Sequence, residues 1–97
     1  MAASLSTHVL DTGRGAPAVG VKVQLFRNGE PLADGATDED GRIAELAAAL
    51  EPGRYRLVFH PPSQYFRRVE LELDLDDGHH HVPLLVSPYS CASYRGS

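Results

Sequence analysis

The chain has 97 residues, enough for one domain over residues 1–97 and not for two. With 42% hydrophobic and 23% charged residues it reads as globular rather than disordered. A net charge of -4 with no basic cluster argues against nucleic acid and anionic membrane surfaces as partners, and a single cysteine, Cys91, rules out an intrachain disulfide.

Taken in chain order, the pattern has period two. In Ser6-Thr7-His8-Val9-Leu10 the β-branched Thr7 and Val9 share one face, and Ser6, His8 and Leu10 share the other. Gly13-Arg14-Gly15-Ala16-Pro17 is a loop. Val21–Phe26 alternates cleanly and ends at Asn28-Gly29, which suits a tight hairpin turn. Asp38-Glu39-Asp40-Gly41 marks a reversal. Only Ile43–Leu50 has the Ala-rich composition of a helix, and a short one, stopped by Pro52-Gly53. Arg54–Phe59 is a less regular strand. Val69–Leu75 places its odd residues in a core and its even ones in water. After Asp76-Asp77-Gly78, the run His81–Val86 reads as a strand buried on both faces, with Pro83 as the irregular position. Short strands between frequent turns predict an all-β sandwich of two antiparallel sheets with about eight strands.

The residues with chemistry to offer are mostly histidines. His60, before Pro61-Pro62, is a loop histidine. Alternation puts His79 and His81 on one face and His80 on the other. That pair with His8 would resemble a zinc set, but no acidic residue is interleaved at ligand spacing, so no metal is assigned. His8 points outward if Thr7 and Val9 point inward. Arg42 follows the acidic turn and taken alone is a solvated guanidinium. Cys91 reads as a small apolar filler. Ser97 lacks the Gly-x-Ser-x-Gly surroundings of a nucleophile. The start Met1-Ala2-Ala3-Ser4 has neither the charge nor the apolar stretch of a secretion signal, and Arg95-Gly96-Ser97 is not a peroxisomal ending. The expected location is the cytoplasm.

Taken together, Leu5-Ser6-Thr7-His8-Val9-Leu10-Asp11, His79-His80-His81-Val82-Pro83-Leu84-Leu85 and the ending Tyr94-Arg95-Gly96-Ser97 resemble the 5-hydroxyisourate hydrolases of the transthyretin-like family. The ending is the specific part, since it separates the hydrolases from transthyretin. Thr37-Asp38-x-Asp40-Gly41 and Pro52-Gly53-x-Tyr55 recur in unrelated sandwich modules. Two departures stand out. The family's helix between its fifth and sixth strands has no room in His60–Phe66, where a proline-rich turn is expected, and Cys91 stands where an aromatic residue is commoner.

The resemblance implies a transthyretin-like (prealbumin-like) sandwich that opens the ring of 5-hydroxyisourate at an amide bond, with no cofactor. His8, Arg42 and His81 become the catalytic candidates: an imidazole to activate water, a guanidinium to face the oxyanion. Tyr94, Arg95, Gly96 and Ser97 become substrate-binding candidates. The resemblance also implies a homotetramer, a dimer of dimers, with active sites where the dimers meet. Leu10 and Leu85, on the same outer surface as the histidines, would then be covered. Two other classes stay open: a transthyretin-like module that carries a small aromatic ligand without catalysis, and a structural or zinc-binding sandwich.

Overall fold

A computed structural model describes residues 2–96. The described residues form ten strands: β1 (Ala3–Asp11), β2 (Ala16–Pro17), β3 (Lys22–Arg27), β4 (Glu30–Ala36), β5 (Arg42–Leu50), β6 (Gly53–His60), β7 (Val69–Leu75), β8 (Gly78–His81), β9 (Leu84–Ser87) and β10 (Ser90–Ser93). One sheet is antiparallel in the order β4-β3-β6-β7. The second has six strands built around β1. The inward residues of both sheets form one cluster, in which Leu5, Val9, Val23, Leu25, Leu57, Phe59 and Leu84 are fully buried. Among the described residues no helix is long and apolar enough to cross a membrane.

β1 has neighbours on both sides. β5 pairs with it antiparallel, whereas β8 and β9 run parallel to it along Ala3–Ser6 and Val9–Asp11. The second sheet is therefore mixed, not antiparallel as expected. Parallel pairing needs a long crossover, which local turn chemistry does not announce. The expected strand His81–Val86 is split in two. Pro83 has no N–H to give the ladder. The backbone N–H of Val82 still donates to the Ser6 carbonyl at 3.0 Å, and the buried hydroxyl of Thr7 donates to the Val82 carbonyl at 2.6 Å, so β1 holds the break closed. This split and the two-residue β2 account for ten strands rather than about eight.

Ile43–Leu50 is not helical; it lies within β5. Its inward residues Ile43, Leu46, Ala47 and Leu50 do recur at helical intervals. The spacing arises from bulges: between the pairs Ala3↔Leu50 and Thr7↔Ile43, β1 advances four residues and β5 seven, with two register shifts. Ala49 takes a positive φ of 56° there. Alanine's local preference for helix yields to pairing with β1. In His60–Phe66 a turn replaces the family helix, as expected: the Ser63 hydroxyl accepts the N–H groups of Tyr65 and Phe66. Asn28 and Gly29 both have positive φ, the backbone the expected tight hairpin requires.

Candidate active site

Three cross-strand pairs line up on the outer face of the mixed sheet. Ala3, Leu5, Thr7 and Val9 of β1 point into the core. Ser4, Ser6 and His8 therefore point out. Register sets Ser4 opposite His79, Ser6 opposite His81, and His8 opposite Arg42. His8 and His81, from two strands, and Arg42, from a third, thus share one surface.

The ring of His8 is fixed by its neighbour turn. Its Nε2 lies 2.9 Å from the Asp40 carbonyl. A carbonyl can only accept, so Nε2 carries a proton and Nδ1 is the ring nitrogen turned away from that carbonyl. That carbonyl is itself held. The Asp38 carboxylate accepts the backbone N–H groups of Asp40 at 2.9 Å and Arg42 at 3.0 Å. These two bonds hold its carboxyl below the usual 3.8, helped by the charges of Arg42 and His8. Gly41, with a φ of 74°, closes the turn and donates its N–H to the Asp38 carbonyl at 2.9 Å.

His81 is half-buried, and its Nδ1 lies 2.8 Å from the Ser6 hydroxyl. The same hydroxyl lies 2.8 Å from His79 Nε2, and the Ser4 hydroxyl lies 2.7 Å from His79 Nδ1. Burial lowers the pKa of His81 below the ordinary 6.5, and the positive charges at Arg42, His8 and His79 add to that effect. The shift favours the neutral imidazole, the form a proton acceptor needs.

Gly96 is brought to His81. It forms an isolated antiparallel bridge, donating its N–H to the His81 carbonyl at 2.6 Å. Tyr94 and Arg95 take another course. With His80, Leu71 and Leu73 they line a cleft of about 320 Å³ at the edge of the sandwich. His80 belongs to the opposite face of β8 and is buried, its Nε2 donating to the Asp76 backbone carbonyl at 3.0 Å. Within one protomer, then, Gly96 joins the histidine surface and the Tyr94 and Arg95 side chains border a different cleft. Ser97 lies outside the described residues.

The remaining candidates are structural. His60 is not in a loop but ends β6, where it bonds Gln24 of the adjacent β3 at 2.9 Å, in the sheet opposite the histidine surface. Cys91 is half-buried in β10, and burial raises its thiol pKa above the usual 9.0, away from nucleophilic thiolate chemistry. Among the described residues no group of three or more His, Cys, Asp or Glu side chains is arranged to hold a metal ion. Sequence reasoning missed Ser4, Ser6 and the Asp40 carbonyl. The two serines had a signal, because they alternate with His8 on the same face as His79 and His81. The carbonyl had none.

The sequence profile of the HIUase/Transthyretin family matches residues 5–96. The chain belongs to this family. The matched span contains Ser6, His8, Arg42, His79, His81 and Gly96. A 5-hydroxyisourate hydrolase of Deinococcus radiodurans is 42% identical over 96% of this chain and 95% of its own. One from Pseudomonas aeruginosa is 39% identical over 96% of this chain and 90% of its own. The structure of Klebsiella pneumoniae 5-hydroxyisourate hydrolase superposes with a TM-score of 0.90 at 39% identity, covering 98% of this chain and 99% of that one.

Proposed function

We propose that this member of the HIUase/Transthyretin family hydrolyses 5-hydroxyisourate to 2-oxo-4-hydroxy-4-carboxy-5-ureidoimidazoline, a step of urate breakdown. Supporting this reading are the hydrolase relatives at about 40% identity over nearly the whole chain and the placement of His81, its pKa lowered by burial, on one face with His8 and Arg42. The second is the observation that carries the chemistry. Water is a poor nucleophile at neutral pH, and a neutral His81 takes its proton as oxygen adds to the ring amide carbonyl. Negative charge then develops on the former carbonyl oxygen, where Arg42 stabilises it. Collapse breaks the C–N bond, and the His81 imidazolium returns its proton to the departing nitrogen. The Nδ1 lone pair of His8 accepts a ring N–H and orients the substrate. Gly96, bridged to His81, borders the pocket within the protomer.

The pocket is open in one protomer, and a homotetramer, a dimer of dimers, would close it. Leu10 and Leu85 face each other across β1 and β9 on the outer surface, half-buried, beside the histidines. A second sheet packed there would cover both leucines and wall the site. Tyr94 and Arg95, which border another cleft within the protomer, would bind substrate only once such a neighbour is present. The cytoplasm is the proposed location, consistent with one unpaired cysteine.

The decisive experiment is the decay of freshly generated 5-hydroxyisourate followed by ultraviolet absorbance. The protein should accelerate it well beyond the spontaneous rate, and His8→Ala should abolish the excess. Ligand binding with no acceleration would instead make the chain a carrier. Sedimentation at micromolar concentration should give a tetramer; a monomer would defeat the assembly.

A further inference from the structure

We propose that His79 is a positioning residue which, through Ser6, keeps the His81 ring in the one tautomer that can accept a proton from the substrate side; this rests on the hydrolytic role given to His81. The observation is a continuous hydrogen-bonded row, Ser4 Oγ to His79 Nδ1, His79 Nε2 to Ser6 Oγ, and Ser6 Oγ to His81 Nδ1, at 2.7, 2.8 and 2.8 Å.

A hydroxyl has one proton to give, and Ser6 lies between two imidazole nitrogens. With both rings neutral and the Ser6 proton spent on a bond within the row, the row has two consistent polarities. In the first, the Ser6 proton points to His79 Nε2, His79 carries its proton on Nδ1 toward Ser4, and Ser6 accepts from His81 Nδ1–H. The Nε2 of His81 is then a lone pair. In the second, His79 Nε2–H donates to Ser6 and the Ser6 proton points to His81 Nδ1. Nε2 of His81 then carries hydrogen and has nothing to accept with. Only the first polarity gives a base. It also needs no rearrangement when His81 is protonated, because Nδ1–H already donates to Ser6.

The first polarity requires an acceptor other than His81 for the Ser6 proton, and His79 Nε2 is that acceptor. Without it, His81 Nδ1 is the one ring nitrogen left within reach of Ser6, and the base is silenced from behind. His81 also faces Arg42 from β5 and His8 from β1, and the Gly96 backbone lies across its carbonyl. These groups oppose a positive charge on the ring but do not choose its tautomer. The choice falls to Ser6, which is buried and holds both rings. His79 is exposed, so its removal leaves the core intact.

The test uses His79→Ala, Ser6→Ala and the double variant, each read by kinetics and by nitrogen-15 NMR of the His81 ring. His79→Ala should lower kcat about tenfold with KM within about twofold, and should cost less than about twofold more in the Ser6→Ala background. Equal losses in both backgrounds, or a change confined to KM, would overturn the coupling. In the free wild-type protein the His81 ring proton should sit on Nδ1, moving to Nε2 in His79→Ala. An Nε2–H ring in the wild type, or no change in the variant, would overturn the proposal. This second readout needs no substrate, so it stands even if 5-hydroxyisourate is not turned over.

Discussion

Gly96 lies directly against the ring of His81: a Cβ on residue 96 would fall 2.6 Å from His81 Cδ2 and 3.3 Å from Cγ. A methyl group there must push the imidazole or the tail aside. Gly96→Ala should therefore lower kcat/KM by about tenfold to a hundredfold while the melting temperature moves by only about 2–4 °C. Activity at the wild-type level in Gly96→Ala would mean that the tail does not set the ring's place.

The lowered pKa of His81 has a pH signature of fixed sign. A folded-state value below the ordinary 6.5 means that below pH 6.5 the unfolded chain binds more protons than the folded one. The contribution of His81 to stability is then full above pH 6.5 and is lost as pH falls through its folded value. The acid limb of kcat/KM should likewise fall below 6.5. An acid limb at or above 6.5 would remove His81 from the role of base.

Arg42 acts on the same histidine. Arg42→Ala should lower kcat about a hundredfold to a thousandfold by removing the oxyanion's partner. It should also move the acid limb upward, because one of the charges opposing protonation of His81 is gone. Arg42→Lys keeps the charge but loses the planar fork, so its acid limb should stay near the wild type while kcat falls. A pH–rate profile of both variants separates the two effects.

Gly41 carries the turn that holds His8. A Cβ there would fall 2.5 Å from the Val9 carbonyl oxygen and 2.9 Å from Pro17 Cβ, at a φ of 74°. Gly41→Ala should cost about 2–3 kcal/mol or more in urea unfolding. Gly15→Ala is the control, since its φ of 66° is similar but nothing lies within 4 Å, and it should cost only about 1 kcal/mol. Equal losses would show that backbone conformation alone, and not the fit against β1, makes Gly41 necessary.

The period-two reading placed His8 outward and separated His79 and His81 from His80, because alternation is a local property of extended chain. The same rule failed at β5, where bulges against β1 give an extended segment the spacing of a helix. Pairing partners were not legible either. That Ser6 stands opposite His81 and His8 opposite Arg42 depends on register between distant segments. The resemblance supplied Arg42 as a candidate where the residue alone read as a solvated cation. His79 and the two serines went unassigned because their meaning lies in a shared hydrogen-bonded row, not in any one of them.

Ser6 and His81 are 75 positions apart, yet they share a hydroxyl–imidazole bond. Bringing segments so distant together costs about 4 kcal/mol in chain entropy before any contact compensates it. β1 gains its parallel neighbours only after that ring has closed, so refolding belongs to the slow millisecond-to-second regime of non-local β topologies. Until closure, β1 exposes an unpaired ladder and an apolar side at once. The step that builds the histidine row is therefore also the one that covers this aggregation-prone edge.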